Sequence, residues 1–494
     1  MALLIAYYGV LLLLAFYGSH RLHQVVRHYR VPPGDPPEPD VPLPTGAATL
    51  VQLPVYNERY VVERLLRAAA ALRSPCGPVR IQLLDDSTDD SAEVAAPIVE
   101  ELRARGVDLT HVRRGTREGY KAGALAEGMR LDAERPGGAA PFIAIFDADF
   151  VPGADFLERT LPHLAPQGTG LVQARWDHLN RDESLLTKVQ SVFLDGHFIL
   201  ESAVRFRTGL LFNFNGTAGV FRRETIEDAG GWSGDTLTED LDLSYRALLK
   251  GWRFVFLSDV TAPAEVPRTM KDFKSQQARW TKGAIEVARK SLGRILAGPF
   301  SREAKLEAFV HLTNNLSYPL VVLLSLLVVP SLLVRKELGL MHLLWLDAPL
   351  LFGSSFSVGL FYVTSQRALG RNWVREIRLI PMMMSLGIGM AVGNAVGVVE
   401  ALFGSATPFV RTPKLGGSGA AGARRYRTPL RPVFLAEAAL AGYFALALVW
   451  VVARGAWEAL PFLFIFFSGF VYGTLYSVLP AGIYSPAVKA NLTR

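Results

Sequence analysis

Apolar runs of membrane length flank a mixed, charged middle segment, and this arrangement constrains the chain before any motif does. Residues 2–18 (ALLIAYYGVLLLLAFYG) are apolar throughout, and further runs occupy roughly 312–334, 346–365, 377–403, 433–453 and 457–479. About 20 consecutive apolar residues suffice to cross a bilayer. With 50% hydrophobic and 20% charged residues, the 494-residue chain is too apolar for an ordinary soluble protein and too charged for a bare bundle of spans. The charge is partitioned instead. Residues 45–310 read as a globular α/β domain, and the α-helical transmembrane domain is built from what flanks them.

The first run is followed, not preceded, by its basic residues (RLHQVVRHYR, 21–30). A cleaved signal peptide has the opposite order, so 1–18 is expected to be a retained transmembrane helix, with residue 19 onward in the cytosol. The loop 366–378 carries Arg367, Arg371, Arg375 and Arg378. The loop 404–432 carries Arg411, Lys414, Arg424, Arg425, Arg427 and Arg431. Both favour the cytoplasmic side, yet only the Gly-rich run 377–403, which contains Glu400, separates them. That run is therefore expected to lie in the interface or against other helices, which leaves five spans, four of them within 312–479. The same bias accounts for the net charge of +7, so no nucleic-acid partner is needed. Cys76 is the only cysteine, which excludes an internal disulfide framework. These features predict an integral protein of a plasma, inner or Golgi-type membrane with a cytosolic domain. A Pro-rich linker, 31–46, joins the first span to that domain.

Within 47–265, strand-like runs (ATLVQLPVYNE, VRIQLLDDS, PFIAIFDAD, GLVQARW, RFVFLSD) alternate with helical stretches near 58–73, 91–105 and 119–132. This predicts a mixed, mostly parallel sheet covered by helices, with ligands beyond the carboxyl ends of the strands. Those ends are polar: Tyr56, Asn57 and Glu58, then Asp85, Asp86 and Ser87, then Asp147 and Asp149. In extended backbone, Asp147 and Asp149 would point the same way. Two such carboxylates call for Mg2+ or Mn2+, completed by water and substrate phosphates. Neither a P-loop nor a dinucleotide-binding Gly motif is present. Lys121, at a Gly-rich helix start (REGYKAGALAEG), suits an anion. In LTEDLDLSYR (237–246), Glu239, Asp240 and Asp242 either serve the helix dipole or include a proton acceptor. Residues 266–300 read as a basic amphipathic helix on the membrane surface. Trp280, Ala284, Val287 and Ile295 recur at helical spacing among Lys271, Lys274, Lys282, Arg289, Lys290 and Arg294.

PVYNE (54–58), DDS (85–87), DAD (147–149), TED (238–240) and QQARW (276–280) occur in that order. Together they resemble the processive membrane family 2 glycosyltransferases, which include cellulose, hyaluronan and glucomannan synthases. FNFNGTAGVFRRETIEDAGGW and TLTEDLDLSYRALLKGW look most like the glucomannan (β-1,4-mannan) synthases. The resemblance covers roughly 48–300 and extends loosely to FVRTPKLGG (409–417). It implies a GT-A fold, a nucleotide-sugar donor, a divalent metal and inversion at the anomeric carbon. By position, Tyr56, Glu58 and Asp86 would contact the nucleoside and Lys121 the diphosphate. Asp147 would lie by the nucleotide and share the metal with Asp149. Asn215, Gly216 and Thr217 would line the acceptor site, with Asp240 as general base and Glu239 beside it. Gln276, Arg279 and Trp280 would hold the acceptor end and the diphosphate. Phe409, Thr412 and Lys414 would belong to a gating loop, where Arg411 departs from the Phe-x-Val-Thr-x-Lys pattern of cellulose synthases.

The implied activity is processive transfer of a hexose, from GDP-mannose or UDP-glucose, to a β-1,4-linked polysaccharide at the cytoplasmic face, coupled to export. An inverting transferase needs one base, whereas a glycosidase needs two carboxylates flanking the bond. Two alternatives are transfer of a single sugar to a ceramide-type lipid, and a transporter with a cytosolic regulatory domain. The few ionisable residues near the spans (Asp347, Glu437, Glu458) argue against the transporter. The donor, a polysaccharide acceptor and the bilayer are the expected partners. A second copy or an accessory subunit is left open.

Overall fold

The computed structural model describes residues 1–404, 412–414, 416 and 432–478. Its centre is a seven-stranded sheet: β1 (Thr49–Val55), β2 (Val79–Asp85), β3 (Leu109–Val112), β4 (Phe142–Ile145), β5 (Thr169–His178), β6 (Gly219–Arg222) and β7 (Arg253–Ala264), in the order β3-β2-β1-β4-β6-β5-β7. All pairings are parallel except those of β6, which runs antiparallel to β4 and β5. The five expected strands are present. β3 and β6, each four residues long, were not foreseen, because runs that short show no resolvable alternation.

Alternation sorts the two cores. Val51, Leu53 and Val55 of β1, with Phe142 and Ala144 of β4, face one apolar cluster. Leu50 of β1, with Ile143 and Ile145 of β4, faces the other. Pro54 is tolerated in a central strand because β4 pairs only with Thr49–Gln52, so no partner on that side lacks its N–H.

The helix that opens with Lys121, Tyr120–Ala133, is fixed to the sheet by polar groups. Buried Gln52 donates to the Leu125 carbonyl at 3.1 Å, and Gln82 donates to that of Gly128 at 2.9 Å. Asp132, fully buried, accepts from Arg80 at 3.0 Å, from Arg223 at 2.5 Å and from the Ala140 N–H at 2.8 Å.

Among the described residues, four helices are long and apolar enough to cross a membrane: Ala2–Arg30, Arg302–Glu337, Val433–Ala453 and Trp457–Val478. The pair Trp373–Gly389 and Ala391–Phe403, bent by 44°, is a fifth candidate. The expected span at 346–365 falls in a 25-residue helix, Leu344–Ala368, outside those four. The first helix runs unbroken through its basic segment. There His20 and Gln24 reach Glu307 at 2.9 and 2.7 Å, and Arg205 reaches the same carboxylate at 2.7 Å. In the linker, Asp35 accepts from the backbone N–H groups of Ser258 and Asp259 at 2.5 and 2.9 Å.

Met270–Ala297 is one helix, as expected, but its cations are not all outward. Lys274 is turned to Glu437 at 2.5 Å and Lys282, buried, to Glu400 at 3.2 Å. The helix packs against Ala391–Phe403, so these ammonium groups meet carboxylates of the apolar half instead of water. The helical period alone could not show that.

Replacing Asp132 by Ala strands two arginines in the core. Breaking a buried pair from one side costs about 3–5 kcal/mol. Thermal unfolding of the purified protein should show a large loss for Asp132→Ala and little change for Glu134→Ala, an exposed residue two positions further on.

Candidate active site

β4 ends at Ile145, so the two aspartates that follow do not sit in extended backbone. Asp147–Phe150 closes a turn, in which the Phe150 N–H donates to the Asp147 carbonyl at 3.0 Å. Strand alternation therefore does not orient Asp147 and Asp149, contrary to the expectation from the sequence; a turn presents both to one cavity. The Thr217 hydroxyl accepts from the Asp147 N–H at 2.9 Å and helps hold that turn.

Lys121 joins three elements. Its ammonium donates to Asp147 Oδ1 at 2.5 Å and to the Gly216 carbonyl at 2.8 Å, and lies 3.9 Å from Glu239. Burial works against this charge, but Asp147 and then Glu239 outweigh it and hold its pKa above the ordinary lysine value. Asp149, buried, pairs with Lys414 at 2.6 Å. Burial pushes its carboxyl up, with Lys414 pulling against.

Glu239 and Asp240 open the helix Glu239–Leu249. Asp240 Oδ2 lies 3.1 Å from where a Cβ on Gly216 would stand, and Gly216 has φ +82°, so that position suits glycine twice over. Burial first, and then the adjacent Glu239 charge, push the Asp240 carboxyl up to about 7, while Lys121 opposes them. A carboxylate with that value is poised to accept a proton near neutral pH. Asp242 differs from its neighbours. It is fully buried and pairs with Arg246 and Lys290, both at 2.8 Å, so it holds the helix.

One cavity of about 660 Å³ is lined by Tyr56, Glu58, Asp86, Lys121, Asp147, Asp149, Asn215, Gly216, Glu239, Asp240, Gln276, Arg279, Trp280, Thr412 and Lys414. Thr217 is fully buried behind that wall, and Phe409 lies outside the described residues. Burial lowers the Arg279 pKa, opposed by Glu239, Asp147 and Asp240. Asn215 accepts from His197 at 2.9 Å, and its backbone N–H donates to Gln173 at 3.0 Å.

Sequence reasoning missed Arg114, which donates to Asp86 at 2.9 Å. It also missed Arg117, whose guanidinium lies 3.4 Å from the centre of the Tyr56 ring, and Trp176, whose ring lies 6.4 Å from that of Trp280. Arg114 and Arg117 could have been sought as cations just upstream of the Lys121 motif. Trp176 was visible only as a strand residue.

Among the described residues, no group of three or more His, Cys, Asp or Glu side chains is placed to hold a metal. Asp147 and Asp149, each paired with a lysine, lie on one cavity wall and would offer two hard oxygen ligands. That set fits a Mg2+ or Mn2+ ion that takes its remaining ligands from substrate phosphates and water.

Glu239→Gln should lower the Asp240 pKa by removing the adjacent negative charge. Infrared difference titration of wild type against Asp240→Asn reads this directly. The carboxylate band should grow as pH rises through about 7 in wild type and at lower pH in Glu239→Gln. An unchanged midpoint would rule Glu239 out as a cause.

Residues 142–392 match the family described as "Glycosyl transferase family group 2", and residues 51–230 match "Glycosyl transferase family 2". The chain is 43% identical over 272 residues to glucomannan 4-beta-mannosyltransferase 1 of Oryza sativa subsp. japonica, covering 55% of this chain and 52% of that protein. It is 35% identical over 375 residues to glucomannan 4-beta-mannosyltransferase 7 of Arabidopsis thaliana, covering 74% of this chain and 65% of that protein. The chain thus matches about half to two-thirds of the length of these relatives. A solved mannosyltransferase of Pyrobaculum calidifontis, in complex with GDP-Man and Mn2+, is 18% identical with a TM-score of 0.48 and covers 82% of this chain and 98% of that one. With the family match spanning half of the sequence, including the Asp147–Asp149 turn and the QQARW helix, the chain belongs to the group 2 glycosyl transferases.

Proposed function

We propose that this protein is a processive, inverting hexosyltransferase that extends a β-1,4-linked polysaccharide from a nucleotide sugar at the cytoplasmic face of a membrane and passes the product through its own helices. The supporting observation is the single cavity. Its wall combines the acid–lysine cluster and Asp240 with side chains of the apolar helices, including Tyr17, Arg21, Tyr318 and Phe466. Both ends of the bent segment carry ion pairs away from the apolar helices: Glu376 with Lys188 of the sheet domain at 3.4 Å, and Glu400 with Lys282 of the Met270–Ala297 helix at 3.2 Å. This favours a segment that lies along the cytoplasmic side without crossing.

In this reading the acceptor hydroxyl attacks the anomeric carbon opposite the diphosphate, and Asp240 takes its proton. Lys121 and Arg279 neutralise the charge that builds on the departing diphosphate. Asp147 and Asp149 would hold a divalent cation, which when bound supplies further charge neutralisation. Trp280 and Trp176 offer flat faces to a sugar ring. The relatives are named as mannosyltransferases, which supports mannose as the sugar, and we take GDP-mannose as the donor ahead of UDP-glucose.

One observation favours transfer to a lipid instead. Much of the cavity wall contributed by the apolar helices is aliphatic or thioether, including Leu14, Val321, Leu324, Met383, Met384 and Ile388. Product length separates the two readings.

Purified protein with Mg2+ or Mn2+ should convert GDP-mannose into a ladder of products. Asp240→Asn should slow it roughly 10²–10⁴-fold, the range for loss of a general base. A single discrete glycolipid would overturn processivity, and undiminished polymer from Asp240→Asn would remove Asp240 as base.

A further inference from the structure

The junction running from the end of the Leu344–Ala368 helix into the start of the bent pair sorts its side chains into two sets. The inward set is paired with the catalytic domain. Gln366 donates to Asp195 at 2.9 Å, Arg371 pairs with the same carboxylate, and buried Glu376 lies 3.3 Å from Arg181 and 3.4 Å from Lys188. Asp195 is buried, and its other oxygen lies 3.0 Å from Nε2 of His178, a residue of the cavity wall.

The outward set is the reverse. Arg367, Arg375 and Arg378 are exposed, and none has an ion pair among the described residues. Interleaved with them, Trp373, Val374 and Ile377 are 40%, 55% and 43% exposed. Exposed guanidinium groups alternating with apolar side chains, at the domain-side end of a long apolar helix, match the headgroup layer of a bilayer. Trp and aliphatic groups sit at the acyl boundary there, and Arg meets lipid phosphate. Neutral lipid would satisfy the apolar residues alone. Three cations without an ion pair among the described residues call for net negative charge.

We propose that residues 367–378 form a docking surface for anionic phospholipid, and that the contact is felt at the cavity through Arg371, Gln366, Asp195 and His178. The lipid-binding half stands independently of the glycosyltransferase reading, whereas the coupling half rests on it.

The test uses the full chain in nanodiscs of phosphatidylcholine, with or without phosphatidylglycerol, and two readouts. The first is immobilisation of a headgroup spin-labelled phosphatidylglycerol. Wild type should prefer it over labelled phosphatidylcholine, and R367Q/R375Q/R378Q should lose roughly tenfold or more of that preference, since each basic residue near an anionic surface contributes to the attraction. The second readout is sugar transfer. Wild type should be several-fold faster in phosphatidylglycerol, while the triple variant should run at the wild-type phosphatidylcholine rate in both lipids, which also shows that it is folded and correctly oriented. Asp195→Asn should keep the lipid preference and lose the rate response. A triple variant that retains the wild-type preference overturns the docking surface. Lipid-independent transfer by a wild type that does bind phosphatidylglycerol overturns the coupling. Absence of transfer in any lipid counts against the enzymatic reading, while the binding readout still decides the docking surface.

Discussion

The Lys121 ammonium is the point on which the cleft converges. It sits at the start of a helix locked to the sheet by Gln52, Gln82 and Asp132, and it reaches the Asp147 turn, the Gly216 carbonyl and the approach to Glu239 at once. Four carboxylates, of Asp147, Asp149, Glu239 and Asp240, share this cavity with the cations Lys121, Arg279 and Lys414. In a partly desolvated space neither set is stable without the other. Asp147 and Glu239 hold the Lys121 ammonium in its charged form against burial, and crowding among the acids is part of what raises Asp240.

The two halves are joined by the same kind of contact. Glu307 gathers His20 and Gln24 of the first helix and Arg205 of the catalytic domain, and Lys274 inserts toward Glu437. Such pairs contribute modest net stability, but they are directional, and apolar surfaces that could slide past one another do not supply direction. A cavity shared between a soluble-type sheet and apolar helices requires that their relative placement be fixed, and these buried pairs fix it.

Much of this was legible in the sequence because the signals are local. The apolar runs, the strand-end acids and the order of the five motifs are each read from short windows, and they placed nearly every expected residue on one cavity wall. What escaped depended on the third dimension. Asp147 and Asp149 line one cavity, but a turn and not strand alternation orients them. Thr217 shares a motif with Asn215 and Gly216, yet it faces the Asp147 backbone from behind the wall. Lys274 and Lys282 obey a helical period that cannot tell water from a buried glutamate. The antiparallel β6 is four residues long, and its position between β4 and β5 is set by pairing alone.

In the proposed function, one cleft holds donor, cation and base together against the apolar helices. A structure with Mn2+ and a non-transferable GDP-mannose analogue tests it most directly. Metal density is expected between Asp147, Asp149 and the diphosphate, the Lys121 ammonium on a phosphate oxygen, and the Asp240 carboxylate on the opposite side of the anomeric carbon. A donor bound elsewhere, or an Asp240 carboxylate on the diphosphate side of the sugar, would contradict it.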